Sequence, residues 1–561
     1  MKPLRLLPVI ALTTGLGVVV TACGVPETGT PPPADTFYYP VGVAPHPDGR
    51  YLYVANAGFD RRYNAGTVQV FDTYTHHILP DETVRLGLFA GEIAVARFTP
   101  TRLVLSPTTV TPGGGTATAS LSVTNRGKAP IRQIGVVLPL AGQPIEGVGD
   151  GATVTLLDHE IRFFVDTLEP DATLDLTGTF TCAGAACNGA AAAGTVALSV
   201  GGQAFTPTTE AEAAKSADPR VLAIVSTRED GAVNRIEIDA PKAGATATPG
   251  SHLTCSDDTS AKNERCDANH RDTRLEGLAS PAAIGDSPYS IALDRTGFFL
   301  THVKRGEVSR WSLNFGTDGE AEPATFRGDC HVTLAAGAST VARHPLLGWA
   351  YVSDRYGQDV SVVAALDPLD RGQTGRIAPE SCRLEERSPL VVDPDPGQGN
   401  TRGLAFSADG TFLYVATGSD SSLHVYDTSV APSGRPRTDL VQAIPLGAGP
   451  NMVRVAGLRE GELRAPNGPD LGHVGEVIDA RGQGLVYITA FDADQLLVVD
   501  PVLMAVVARI PTGTGPHDVA FMPDAEDRLQ AWVTNFRDHS LTLVDIDPDS
   551  PRRFTALATL P

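Results

Sequence analysis

The side chains best suited to chemistry in this 561-residue chain are Tyr289, Arg402, Asn451, His517 and Asp518. Each stands near the opening of a short apolar strand, and Pro40 and Thr401 occupy similar points. Phenol, guanidinium, amide and imidazole groups gathered at one opening would hydrogen-bond an anionic or sugar-like ligand. Their variety carries the inference, because structural positions repeat from unit to unit and these do not. Other constellations say less. His76 and His77 are neighbours on a strand and point opposite ways, so surface positions are expected. Asp257-Asp258 and Asp393-Pro394-Asp395 lack the alternating ligand spacing of a calcium loop, and no metal site is expected. The HExxH and GxSxG motifs and the phosphate-binding glycine loop are absent. No cofactor motif is present, so no cofactor is expected.

Those residues need elements to position them, and the repeats supply these. The fullest copies run YPVGVAPHPDGRYLYVANAGFDRRYNAGTVQVFDT from Tyr39 and TRGLAFSADGTFLYVATGSDSSLHVYDT from Thr401. A third starts at Gly515, and weaker copies start at Ser287, Ser339 and Gly449. Each reads as strand, Asp/Gly turn, strand, polar turn, and strand ending in Asp. One more copy is split, with an opening strand at Gly91 and the remainder from Arg220, which makes seven. A four-stranded module of this kind cannot bury both faces alone, so the modules must stack around a channel.

The motifs YVAN (Tyr53 to Asn56), YVSD (Tyr351 to Asp354), YVAT (Tyr414 to Thr417), YITA (Tyr487 to Ala490) and WVTN (Trp532 to Asn535) resemble the YVTN family of β-propeller repeats. The resemblance covers most of residues 36–100 and 218–561. It implies an all-β, seven-bladed propeller whose ligands meet the channel mouth. It is also similar to the seven-bladed lactonase-like propellers. That implies a hydrolase alternative, with His517 as base and Arg402 as oxyanion partner. No copied catalytic motif accompanies it, and the preferred expectation is a non-catalytic binding or interaction scaffold. A third expectation is a subunit that docks with an electron-transfer or secretion partner.

Residues 101–217 interrupt the second repeat with short alternating strands, which reads as an inserted β-sandwich. The stretch LSPTTVTPGGGTATASLSVTNRG within it resembles bacterial Ig-like domains. A polar, cysteine-bearing region from Pro241 to about Pro281 is expected as a disulfide-pinned surface loop.

The amino terminus carries Lys2 and Arg5, an apolar run from Leu6 to Val20, and Val20-Thr21-Ala22-Cys23. This is the pattern of a secretory signal and resembles a bacterial lipobox, implying a lipidated Cys23 at the end of a 1–23 signal. Residues 24–35 form a Pro/Gly-rich tether. Gly24 in place of Asp implies the outer membrane of a Gram-negative envelope. The remaining cysteines, Cys182, Cys187, Cys255, Cys266, Cys330 and Cys382, suggest disulfides in an exported chain. Neighbour logic favours Cys182–Cys187, Cys255–Cys266 and Cys330–Cys382, although six cysteines can pair in many ways. The formal charge of −21 excludes nucleic acid as a natural partner. Expected partners are other envelope proteins or polysaccharide and, through the anchor, a membrane; a monomer is expected.

Overall fold

In the computed structural model the described residues are 29–47, 49–98, 101–128, 130–182, 195–200, 203–205, 207–213, 220–239, 250–256, 265–275, 282–283, 287–293, 297–314, 325–335, 337–345, 347–357, 359–365, 384–392, 400–431, 435–447, 449–456 and 484–561. Seven antiparallel sheets follow one another along the chain, each ordered from an inner to an outer strand. Their inner strands are Pro40–Pro45, Ala90–Phe98, Pro288–Leu293, Ala338–Arg343, Thr401–Phe406, Pro450–Val455 and Pro516–Pro523. The second strands are Tyr51–Asn56, Arg220–Thr227, Gly297–His302, Trp349–Asp354, Phe412–Thr417, Val486–Ala490 and Leu529–Asn535. Neighbouring inner strands pack side by side, and blade seven returns to blade one, so the ring closes. The all-β, seven-bladed propeller with an inserted sandwich is the fold observed.

The second strands read as continuous apolar runs because both of their faces are covered. In Tyr51–Asn56, Leu52 and Val54 pack toward blade seven, while Tyr53 and Ala55 pack toward blade two. Phe412–Thr417 divides in the same way, with Leu413 and Val415 on one side and Tyr414 and Ala416 on the other. The aspartates that end the third strands cap the turns that follow. Asp72 accepts from the Tyr74 N–H at 2.9 Å, Asp427 from Ser429 at 2.9 Å, and Asp500 from Val502 at 2.8 Å.

Among the described residues every strand of blade seven comes from residues 516–560, and no strand is exchanged across the seam. Closure rests on side chains. Phe37, Val43, Leu52, Val54 and Phe71 of the first blade's side pack on Ala520, Met522, Trp532, Leu541 and Leu543.

The insert forms two five-stranded antiparallel sheets around a shared core that includes Leu121, Val123, Ile134, Val136, Phe163 and Phe180. It leaves blade two between Ala90–Phe98 and Arg220–Thr227, which pair with each other. The cysteine-bearing region departs from the surface loop expected. Its short strands Leu253–Thr254 and Arg271–Asp272 pair with Ala232–Ile238 and supply the outer edge of blade two. Cys255 and Cys266 form a disulfide, with Cα atoms 4.6 Å apart, and both are buried in the core between blades one and two. Cys182 and Cys330 are also disulfide-bonded. Their expected partners Cys187 and Cys382, and the lipobox residue Cys23, lie outside the described residues. His76 and His77 are exposed, as expected.

Candidate functional site

The seven inner strands share a device that builds the channel mouth. Each pairs with its second strand through a register shift close to its start: Pro40/Gly42 in blade one, Val225/Thr227 on the partner strand in blade two, and Pro288/Ile291, Ala338/Val341, Thr401/Leu404, Pro450/Val453 and Pro516/Val519 beyond. A bulge of this kind frees backbone groups and re-aims side chains. The freed N–H in blades three, four, six and seven is taken up by a hydroxyl of the second strand. Ser290 donates to Thr301, Thr340 to Ser353, Met452 to Thr489 and Asp518 to Thr534, at 2.9–3.0 Å. Two of these hydroxyl groups in turn donate to the next blade, Thr489 to the His517 carbonyl at 3.1 Å and Thr301 to that of Ser339 at 2.5 Å, and Ser226 of blade two donates likewise to that of Tyr289 at 2.6 Å.

The register leaves one equivalent residue per blade at the mouth: Val41, Gly91, Tyr289, Ser339, Arg402, Asn451 and His517. A second ring comes from the residue just after each second strand: Ala57, Arg228, Val303, Arg355, Gly418, Phe491 and Phe536. In every blade its N–H donates to the carbonyl of the residue preceding the inner strand. The two rings are therefore held at fixed relative positions.

Three of the expected residues form one hydrogen-bonded chain. Arg402 donates through Nε to Asn400 Oδ1 at 2.9 Å and through Nη1 to Asn451 Oδ1 at 3.4 Å. Asn451 Nδ2 donates to the His517 carbonyl at 3.3 Å. His517 Nδ1 lies 2.7 Å from the Val41 carbonyl oxygen and donates to it. Its Nε2 is then left as an acceptor. Tyr289 stands beside Arg228, whose guanidinium carbon is 5.5 Å from the Tyr289 ring centre and 5.8 Å from that of Phe89.

Asp518, Thr401 and Pro40 go elsewhere. Pro40 and Thr401 open their strands as buried residues, and the Thr401 hydroxyl donates to the Asp354 carbonyl at 2.8 Å. Asp518 follows His517 in sequence, and strand alternation turns it away from the mouth. It is 1% exposed and lies 3.1 Å from Arg454 Nη2, which also reaches Glu92 at 3.2 Å. Glu92 and Asp518 each bind the following blade as well. Glu92 accepts from Ser290 Oγ at 2.6 Å and Ile291 N at 3.1 Å, and Asp518 accepts from Val43 N at 3.4 Å. Arg454 thus spans the axis from blade six to blades two and seven, one layer beneath the mouth. Burial opposes its charge, but the Asp518 and Glu92 carboxylates hold its pKa above the ordinary arginine range.

The electrostatics of the mouth are lopsided. Burial lowers the pKa of Arg228 and of Arg402, and Arg355 acts on both in the same direction. Among the described residues none of these three arginines has a carboxylate within ion-pair distance. The acid that acts on Arg402, Asp492, is paired with Arg537 at 3.4 Å. Burial pushes His517 down to about 4, and Arg228 and Arg355 act the same way. An imidazole protonated only near that pH is a weak general base at neutral pH. As an uncharged acceptor it is well suited.

Sequence reasoning missed Glu92, Arg228, Arg355 and Arg454. One signal was available for Arg454. At the equivalent inner-strand position six blades carry Ala44, Ala94, Ala292, Ala342, Ala405 and Ala520, and the sixth blade carries Arg454. Arg228 and Arg355 directly follow their second strands, one residue beyond the repeated motif.

A second buried histidine gives a pH prediction. His344 is 0% exposed; its Nε2 donates to the Thr428 carbonyl at 3.3 Å and its Nδ1 accepts from Leu347 N at 3.2 Å. Both nitrogens are committed to the neutral ring, and burial lowers its pKa from 6.5 to about 4. The unfolded chain therefore takes up the proton first as pH falls. Stability should be intact above pH 6.5 and decline from there toward pH 4, by on the order of 3 kcal/mol from this residue. Urea midpoints between pH 7.5 and 4.5 test this; a flat profile, or an unchanged slope in His344→Gln, would contradict it.

No protein-family profile matches the chain, and no curated protein sequence matches it significantly. Solved structures do resemble it. A functionally unknown protein from Desulfotomaculum acetoxidans aligns at 8% identity over 65% of this chain and 91% of its own, with a TM-score of 0.37. The periplasmic gluconolactonase PpgL of Pseudomonas aeruginosa aligns at 17% identity over 60% and 95%, with a TM-score of 0.31. The β-propeller domain of Swd1 from Myceliophteria thermophila aligns at 11% identity over 60% and 82%, with a TM-score of 0.33. Similarity at this level concerns the fold alone.

Proposed function

We propose that this protein is a cell-envelope lipoprotein whose propeller is a non-catalytic binding scaffold for an anionic ligand at the channel mouth. The lipobox-like amino terminus and the cysteine usage support the envelope assignment. One observation carries the binding reading. Arg228, Arg355 and Arg402 converge on one mouth of an otherwise acidic protein, with no carboxylate paired to them among the described residues. Guanidinium groups held this way favour carboxylate or phosphate. His517, Asn451 and Tyr289 add neutral hydrogen-bonding groups beside them.

The weak basicity of His517 favours binding over hydrolysis. Calorimetric titration with citrate tests the reading. Wild-type protein should bind, and the double variant Arg355→Ala/Arg402→Ala should lose at least about tenfold in affinity. Absence of citrate binding would overturn the anion site. Turnover of simple lactones that disappears in His517→Ala would replace the scaffold by the hydrolase alternative.

A further inference from the structure

We infer that the mouth is a dead-ended cup for the end of an acidic oligosaccharide, with a terminal uronate carboxylate on the arginines and the next sugar faces on an aromatic rim. This rests on the anionic-ligand reading and narrows it.

The two sides of the mouth differ, although Arg537 and Arg61 lie over the Phe491 and Phe89 rings on the aromatic side, at 4.6 and 5.0 Å. Blades two to five bring Arg228, Tyr289, Arg355 and Arg402. Blades six, seven and one bring Phe491, Phe536, Tyr39 and Phe59, and Phe89 joins them at the start of blade two. Successive ring centres are close: Phe491–Phe536 6.0 Å, Phe536–Tyr39 4.9 Å, Phe536–Phe59 5.5 Å and Phe59–Phe89 5.9 Å. Phe59 is 51% exposed, a large apolar surface to leave in water.

The backbone shows that two of these rings are carried against local preference. The residue before the inner strand is left-handed in six blades. Glycine takes it in three of them, at Gly337, Gly449 and Gly515. Tyr39 and Phe89 hold the same conformation with φ of 54° and 58°. For a bulky residue that conformation is strained, and such strain concentrates at ligand sites. Glycine would serve the turn better; only the ring needs the aromatic residue.

Ring geometry and channel shape choose the ligand class. The four rim pairs meet at 50–80°, so these rings form no parallel slot to sandwich a flat base or aryl group. A single open face such as that of Phe59 suits the C–H side of a pyranose. Amide groups of Asn400 and Asn451, already aligned on Arg402, are suited to sugar hydroxyl groups. Beneath the mouth, Arg454 bridges Glu92 and Asp518 across the axis. That bridge obstructs the channel beneath the mouth, which favours entry of a chain by its end.

Titration with oligogalacturonates from the monomer to the hexamer, their carboxyl-reduced neutral counterparts, and citrate provides the test. Affinity should rise over the first few residues and then level off. The neutral series should bind at least about tenfold more weakly. Phe59→Ala should weaken the oligomers about tenfold while leaving citrate unchanged, with circular dichroism confirming the fold. Oligogalacturonates no tighter than citrate, or equal binding of the neutral series, would overturn this inference and leave the anion site standing. Affinity that keeps rising with length would also overturn it, because it indicates side-on binding. If neither citrate nor oligogalacturonate binds, both readings fall.

Discussion

Replacing Arg454 with alanine should destabilise the protein by about 3 kcal/mol, the lower end of what removing one partner of a buried ion cluster costs. The Glu92 and Asp518 side chains are 5% and 1% exposed, and Arg454 is the cation that reaches both. Without it, two carboxylates remain in the narrow part of the ring with only neutral donors. The arginine side chain is 30% exposed, which moderates the loss by letting water approach. The origin of the cost is testable. Adding Glu92→Gln and Asp518→Asn to Arg454→Ala should recover most of the stability, since the neutral amides keep acceptors for Ser290, Ile291 and Val43. Urea denaturation of wild type, single and triple variants decides it. A single variant within about 1 kcal/mol of wild type would show that the cluster is already well hydrated.

Trp532→Ala should cost about 3–5 kcal/mol, as expected for deleting a fully buried aromatic side chain. It should also act where the ring is covalently weakest. Trp532 is 0% exposed in the seam between blades seven and one, with the Phe71 ring centre 5.5 Å away. Since no strand crosses that seam, side-chain packing and contacts such as His517 to Val41 and Val43 to Asp518 hold it. Trp311 is the control. It is equally buried, stacked with Phe298 between blades two and three, which the chain also joins covalently. Both alanine variants should lose comparable stability. Only Trp532→Ala should speed amide exchange in Pro40–Pro45 and Pro516–Pro523. Equal exchange at the seam in both variants would mean that closure is no weaker than any other interface.

Much of this molecule was legible residue by residue. The apolar runs around YVAN, YVAT and WVTN, the Asp/Gly turns and the closing aspartates are local signals, and they located the blades. Arg402, Asn451 and His517 were legible as mouth residues because equivalent strand openings carried unlike polar groups. Asp518 was read in the same way but lies a layer deeper, because a bulge and strand alternation turn neighbouring side chains to different layers. Glu92 and Arg454 were hidden by distance: they are 362 residues apart and meet only because blades two and six face each other across the ring. The aromatic rim was hidden for a similar reason, since Phe89 and Phe536 lie in different repeats and outside the repeated motif.

The sequence alone determined the repeated β modules, their turns and the excess of acidic charge, because hydrophobic period and turn chemistry act over a few residues. Tertiary structure decided which side chains share the mouth, which acids are consumed in the plug beneath it, and that the cysteine-bearing region completes a blade. Those outcomes depend on closing a ring, and closure brings together residues whose separation along the chain carries no local signature.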